Sequence, residues 1–258
     1  MKKNRIYKDL KEFTKIIILR FFSIFLDIYT KKTNNSFDNN WFKDKKVAIV
    51  GGADSVLNDK LGKFIDSFDV VVRINNGLIP IPMQKDYIGE KTDFLFHSFY
   101  VRNNDAGSSP IDIDLFSKKV NNMIIFANNY KCSIYSLRNF IYFIKITKNK
   151  LKFSQINKKQ FFENKNILHP FGATTGFSAI NTILNCKPKE LYITGFTFFK
   201  TPHNSAYRTF KKDEPIFQSG SHNAEEEYKY IKKLYYENKN IIKVDKTLLK
   251  IFESNNWI

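Results

Sequence analysis

Four consecutive apolar residues, Val47-Ala48-Ile49-Val50, end abruptly on Gly51-Gly52. A run that is apolar at every position suits a strand covered on both faces, and such strands belong to parallel sheets packed between helices. The rest of the chain repeats the pattern. Strand-like segments at 46–51, 69–73, 93–98, 123–127, 190–195 and 241–244 alternate with helix-like ones near 55–66, 136–147, 176–185 and 224–237. Alternation of this kind predicts a layered α/β fold with a mainly parallel sheet between helices. A chain of 258 residues fits one sizeable domain better than two cramped ones. Apolar content of 43%, with 26 Phe and 13 Tyr, excludes disorder over most of the length.

The basic surplus is unevenly placed. Lys and Arg number 42 against 25 Asp and Glu, a formal charge of +17. Residues 1–46 hold 12 basic and 5 acidic side chains, and residues 145–165 hold 7 and 1, so two stretches carry most of the excess. A nucleic-acid groove would place that excess on the strands and turns that form it, so nucleic acid is not an expected partner. Within residues 1–30, Ile16-Ile17-Ile18-Leu19 and Phe21-Phe22-Ser23-Ile24-Phe25-Leu26 are broken by Arg20 and closed by Asp27. That falls short of the roughly 20 uninterrupted apolar residues of a spanning helix, and no small-residue cleavage site follows. The segment reads as a basic amphipathic helix that either lies in a membrane interface or packs on the domain body. Residues 31–45, polar and Asn-rich, read as a linker, and residues 46–258 as the domain. The Lys/Asn-rich piece 145–165 reads as a solvated connection with some helix. Cys132 and Cys186 are too few for a disulfide framework or a zinc cluster, which points to a reducing compartment.

In a sheet of this type ligands sit beyond the carboxyl ends of the strands, so the residues just after each strand are the candidates. Gly51-Gly52-Ala53-Asp54-Ser55 is a small-residue turn whose backbone amides suit a phosphate or carboxylate, although it is neither a GxGxxG fingerprint nor a P-loop. Arg73 and Asn75, at the end of the next strand, offer a cation and an amide. Gly172-Ala173-Thr174-Thr175-Gly176 stands before an apolar-periodic helix, where hydroxyls and amides either receive an anion or simply cap the helix. In Ser221-His222-Asn223-Ala224-Glu225-Glu226-Glu227, Asn223 and Glu226 form a capping box, which puts His222 just ahead of a helix. The dipole there disfavours imidazolium and the neighbouring glutamates oppose that effect. His203 also lies in a polar loop, whereas His97 and His169 flank apolar runs and read as structural. Asp112-Ile113-Asp114 matches a metal-holding DxD but is too short a pattern to carry weight.

Taken in order and spacing, Val47-Ala48-Ile49-Val50-Gly51, Leu61-Gly62-Lys63-Phe64-Ile65-Asp66, Asp69-Val70-Val71-Val72-Arg73-Ile74-Asn75 and Lys85-Asp86-Tyr87-Ile88-Gly89-Glu90-Lys91-Thr92 resemble the long sialylmotif of the eukaryotic-type sialyltransferases. The segment from Thr174-Thr175-Gly176 through Leu191-Tyr192-Ile193-Thr194-Gly195-Phe196 resembles their short motif. His222 with Glu227 matches the very short motif, H-x4-E. Arg73, Asn75, Thr175, Gly176, Tyr207 and His222 also fit the compact bacterial sialyltransferases. The resemblance covers roughly residues 46–250 and implies a single Rossmann-like domain of GT-A-variant type. It implies inverting transfer of a sialic acid from a CMP-activated donor to a glycan hydroxyl, without an obligatory metal or other cofactor.

By that resemblance His222 is the general base, and Gly52, Ser55, Arg73, Asn75, Thr174, Thr175 and Gly176 bind the donor. Tyr207, with His203 nearby, serves the departing phosphate, Glu227 supports the motif, and residues 200–221 form a lid. The sequence departs from the family at two points. The first of the cysteines that join the long and short motifs in the animal enzymes is missing, and a second phosphate-contacting Tyr falls at Phe199. The implied partners are the CMP-sugar, an acceptor glycan that is lipid-linked or a surface polysaccharide, a membrane surface and a homo-oligomeric copy. The implied location is cytoplasmic, peripheral on the inner face of the membrane. Two rivals stay open: the same fold with another CMP-ulosonic acid such as Kdo, and a non-catalytic basic protein that binds membrane or nucleic acid.

Overall fold

The computed structural model describes residues 2–101, 109–207 and 221–254. A long helix, α1 (Lys2–Tyr29), precedes β1 (Lys46–Val50), α2 (Gly62–Asp66), β2 (Val70–Ile74), α3 (Ile81–Ile88), β3 (Phe94–His97), α4 (Ile113–Lys119) and β4 (Met123–Phe126). Then come α5 (Ile134–Thr147), β5 (Phe153–Gln155), α6 (Lys158–Ile167), α7 (Thr175–Asn185), β6 (Glu190–Thr194), α8 (Ala224–Glu237), β7 (Ile242–Val244) and α9 (Lys246–Glu253). Helices α4–α9 each begin on an Asp, Ser, Asn or Thr whose side chain accepts from a first-turn amide. Each such cap is worth about 1 kcal/mol. The acidic pair Asp112 and Asp114 belongs to this set, since Asp112 caps α4 through the Leu115 amide at 2.9 Å.

The seven strands form one parallel sheet in the order β5-β4-β3-β2-β1-β6-β7. The chain starts at β1, walks outward to β5, then returns to the other side of β1 and walks outward again. Strand alternation divides the core accordingly. Val47, Ile49, Val70 and Val72 face a layer with α7, α8 and α9. Ala48, Val50, Val71 and Leu95 face a second layer with α2, α3, α4 and α5. Burial on both sides is why these strands read as unbroken apolar runs. The second layer holds a stack of Phe rings, in which Phe99 lies between Phe126 and Phe143 with centroids 4.4 and 3.8 Å away.

Three sequence expectations are corrected. The helix expected over 55–66 is a 3-10 turn at Asp54–Leu57 followed by α2, interrupted at Asn58-Asp59-Lys60. The stretch 145–165 holds the edge strand β5 and most of α6. Phe153, isolated among lysines in the sequence, is fully buried against Phe140 and Phe143. The linker expected at 31–45 is packed: Phe42 is fully buried, Trp41 stacks on Phe94 at 5.3 Å, and the Phe153 and Asn35 amides bond across to Thr33 and Phe153 carbonyls. This segment covers the edge of β5, which would otherwise present unpaired amides.

Phe42→Ala is therefore expected to cost about 3–5 kcal/mol, the range of a large side chain removed from a core. Urea denaturation measures it, and a loss below about 1 kcal/mol would return the segment to the status of a free linker.

Candidate active site

Topology gathers the candidates along one edge. In a parallel sheet each helix that leads into a strand begins at the carboxyl end of the sheet, so α7 and α8 start where β1, β2 and β6 finish. The order in which strands are added across the sheet reverses between β1 and β6, whose carboxyl ends touch. A Cβ on Gly51 would lie 2.3 Å from the Gly195 carbonyl oxygen, and Gly195 itself turns with φ +73°. Buried Asp245 secures this turn, its Oδ2 accepting from Thr194 Oγ1 at 2.8 Å and from the Gly195 amide at 3.0 Å. Phe196, the next residue, wedges between the two halves of the crevice: its ring would be 2.8 Å from a Cβ on Gly51 and 2.7 Å from one on Gly176.

One group of candidates sits at the ends of β1 and β2. Asn75 is buried with φ +45°, a left-handed conformation that Asn tolerates, and its Oδ1 accepts from the Ser98 amide at 3.0 Å. The Tyr207 ring covers Gly52, where a Cβ would meet it at 2.6 Å, and stacks near His203 with centroids 5.9 Å apart. Tyr207 Oη donates to the Ile74 carbonyl at 2.9 Å. Residues 201–207 are strapped down: Asn204 N–H bonds Gly52 O, the Asn204 and Gln84 amides pair reciprocally, Asp54 N–H bonds Pro202 O, and Asn76 Nδ2 bonds Tyr207 O. Of the lid expected over 200–221, residues 208–220 lie outside the described residues. Two buried polar atoms here, Ser55 Oγ and Asn76 Oδ1, have no hydrogen-bond partner among the described residues.

The second group joins the starts of α7 and α8. Thr174 caps α7 by accepting from the Phe177 amide at 3.1 Å, and the Thr175 and Gly176 amides stand in the open first turn. His222, half-buried ahead of the Asn223 cap, places Nδ1 2.7 Å from the Gly172 carbonyl oxygen. A carbonyl only accepts, so Nδ1 carries a proton, and in the neutral ring the lone pair is then on Nε2. Five residues on, buried Glu227 receives both the amide and the hydroxyl of Thr174, at 2.7 and 2.8 Å. His222 and Glu227 thus grip neighbouring points of one loop, 172–174, and hold the two helix starts together. Burial pushes the Glu227 carboxyl up to about 7, against the pull of its two bonds from Thr174.

Arg73 departs from the expected place beside the donor. Its fully buried guanidinium bonds Thr92 Oγ1 at 2.8 Å and the carbonyls of Ile88, Gly89 and Lys91 at 2.9–3.1 Å. Desolvation lowers its pKa to about 10, with Asp66 opposing, so it remains charged at neutral pH. Sequence reasoning did not single out Phe196, Asp245, Asn76 or Asn204 for the site. Phe196 closes the quoted short-motif segment and Asn76 adjoins Asn75, so motif membership and adjacency were usable signals. The pairing of Asp245 with the β6 end is a contact over fifty residues that spacing does not reveal.

The Glu227 shift has a definite sign. A protonated carboxyl contributes stability in full below about pH 4.5 and loses it as pH rises to about 7, a change on the order of 3 kcal/mol. Glu227→Gln is expected to remove this part of the pH slope, measured as the difference between wild-type and variant urea denaturation across that window. Equal slopes would refute the buried-carboxyl account.

The family model described as glycosyltransferase family 29 (sialyltransferase) matches residues 2–239. Human type 2 lactosamine alpha-2,3-sialyltransferase is 35% identical over 77 residues, 30% of this chain and 22% of that enzyme. Sialyltransferase-like protein 2 of Arabidopsis thaliana is 41% identical over 49 residues, 19% of this chain and 11% of its own. The chain therefore spans about a fifth or less of the length of these curated relatives. In three dimensions it resembles the monofunctional alpha-2,3-sialyltransferase Cst-I of Campylobacter jejuni with a TM-score of 0.55 at 15% identity, covering 86% of this chain and 85% of that one. A mammalian sialyltransferase in complex with an acceptor analogue, Gal-beta-1-3GalNAc-ortho-nitrophenol, gives 0.52 at 16% identity over 81% and 72%. CstII of Campylobacter jejuni in complex with cytidine-5'-monophosphate gives 0.51 at 17% over 83% and 88%. At these identities the structures establish a shared fold. With a family match running from α1 into α8, the chain belongs to glycosyltransferase family 29, the sialyltransferases.

Proposed function

We propose that this chain transfers a sialic acid, with inversion, from its CMP conjugate to a hydroxyl of an acceptor glycan, and that His222 is the general base. The observation that carries the reading is the contact between His222 Nδ1 and the Gly172 carbonyl, which leaves a basic Nε2 beside the open first turn of α7. In an inverting displacement the acceptor oxygen attacks the face opposite the leaving group. It gives up its proton to the base as the bond from the sugar to the phosphate breaks, and CMP departs. The first-turn amides of Thr175 and Gly176, at the positive end of the α7 dipole, suit the donor's phosphate or carboxylate. Thr174 positions that turn. Gly52, Ser55 and Asn75 line the other side, where the unpartnered Ser55 Oγ and Asn76 Oδ1 are polar groups that a bound nucleotide would satisfy.

Tyr207 reaches the phosphate by exchanging its bond to Ile74 for one to the ligand, with His203 beside it, a role that Phe199 cannot share. A nucleoside monophosphate leaves with less charge than a diphosphate, so uncharged donors suffice and transfer proceeds without a metal. We assign the sheet to the GT-A-variant arrangement and the acceptor to lipid-linked or surface glycan. That CstII was solved with cytidine-5'-monophosphate bound supports the choice of nucleotide.

His222→Asn is expected to lower kcat by about a hundredfold or more while CMP affinity stays within about threefold, read by CMP-release kinetics and calorimetric titration. Unchanged turnover would overturn the base assignment. Release of CMP from CMP-Kdo but not from CMP-sialic acid would move the donor to the other keto-acid sugar. Transfer only from a nucleoside-diphosphate sugar, or dependence on a divalent metal removed by chelation, would defeat the reading.

A further inference from the structure

Helix α1 presents two different stripes. Leu19, Ser23, Leu26 and Thr30 lie along one narrow side, spaced by three or four residues, and Ser23, Leu26 and Thr30 are buried against the layer that holds α5. Lys131 Nζ reaches Asp27 at 2.6 Å, the Tyr130 hydroxyl bonds the same carboxylate, and Asn149 Nδ2 donates to the Tyr29 carbonyl at 2.9 Å. Asp27, which interrupts the apolar run in the sequence, is thereby turned inward to an ion pair. The last part of α1 is fastened to the body, and the packed segment 31–45 continues from it.

The remaining apolar residues face outward. At 100° per residue Phe22, Tyr29, Ile18, Phe25, Phe21, Ile28, Ile17 and Ile24 follow one another around a continuous arc of roughly 160°. Phe21 is 70% exposed, Ile24 63%, Phe25 62% and Ile28 71%. Single exposed apolar residues are ordinary, but eight on one face of one helix are not. Exposed Arg20 stands within this stretch and exposed Lys31 and Lys32 at its end, in a segment where 12 basic residues face 5 acidic ones. No described helix is long and apolar enough to cross a membrane.

We infer that this outward arc of α1 docks on an anionic lipid bilayer, with Phe21, Phe25 and Ile28 entering the interface and the basic residues meeting the headgroups. Charge chooses the occupant. A second copy brings the same basic helix, so pairing opposes like charges, whereas an anionic bilayer neutralises them. Because α1 is fixed to α5 and to residues 130–131, docking orients the whole domain instead of tethering it on a loose arm. This inference is independent of the catalytic reading.

The test is co-sedimentation of the full chain with phosphatidylcholine vesicles containing about a third phosphatidylglycerol, and with phosphatidylcholine alone. Binding to the anionic vesicles is expected, weakened by about 0.5 M salt, and reduced at least tenfold in the triple variant Phe21→Ser, Phe25→Ser, Ile28→Ser. Phe162→Ser, an exposed change on α6, serves as the control and is expected to bind like wild type. In a separate Phe21→Trp variant the added indole emission is expected to shift to the blue on mixing with anionic vesicles, which reports insertion without weakening the face. Triple-variant binding equal to wild type, no shift for Phe21→Trp, or a wild-type dimer that fails to bind vesicles and that the triple variant makes monomeric would each overturn the inference.

Discussion

Strand β1 is paired on both sides, in register with β2 from Val47 opposite Val70 and with β6 from Lys46 opposite Glu190. The chain enters the sheet there and reverses there, so the end of β1 is the one place where loops from both halves of the fold converge. Gly51 and Gly195 approach too closely for any side chain between them, and Phe196 fills the corner next to Gly176. The crevice follows from this pairing together with the rule that crossovers in a parallel sheet are right-handed. Every candidate group belongs to a loop that the topology delivers to this edge.

Two buried ionisable side chains fix the loops that topology alone leaves free. Arg73 draws the carbonyls of residues 88, 89 and 91 and the hydroxyl of Thr92 around its guanidinium, and Glu227 draws the amide and hydroxyl of Thr174. A buried charge is tolerated only when surrounded by such partners. The carbonyl groups around Arg73 can adopt that geometry only if the turn after α3 is shaped to point inward, so the guanidinium dictates the loop as much as it is satisfied by it. This gives a physical reason for Arg73 and the segment 85–92 to occur together in one motif: they are a single wired unit. The same logic makes His222 and Glu227 one device, a pair of side chains on α8 gripping the loop that starts α7.

Legibility followed local chemistry. Helix α8 was readable to the residue because an Asn cap and apolar spacing agree, and β1, β2 and β6 were readable because both faces are covered. Strand β5 was not, since its one large apolar residue, Phe153, gains its burial from Phe99, Phe140 and Phe143, far away in the sequence. The segment 31–45 failed for a similar reason: Trp41 and Phe42 are two aromatics in a polar stretch, and only the sheet explains them. The positions of Thr174, Thr175 and His222 at helix starts were legible because caps announce themselves, whereas the contact of Glu227 with Thr174, fifty-three residues apart, was not. That Arg73 would be fully buried with its guanidinium on the carbonyls of residues 88, 89 and 91 was not legible, because a cation after a strand looks the same whether it faces a ligand or the core.

Among the described residues the guanidinium of Arg73 is turned to carbonyls of the loop after α3, and the groups at this edge that suit an anion are amides, hydroxyls, the His222 ring and the dipole of α7. The proposed base requires a neutral imidazole, and a strongly positive site would hold it uncharged at the expense of gripping the proposed nucleotide product. Fixed dipoles give a milder field that still favours a phosphate where it leaves. Most of the surplus that makes the chain so basic is carried by residues 1–46 and by the segment from Lys145 to Lys165. Among the described residues the groups at this edge are mostly dipoles, and the basic surplus of the sequence lies in segments away from it.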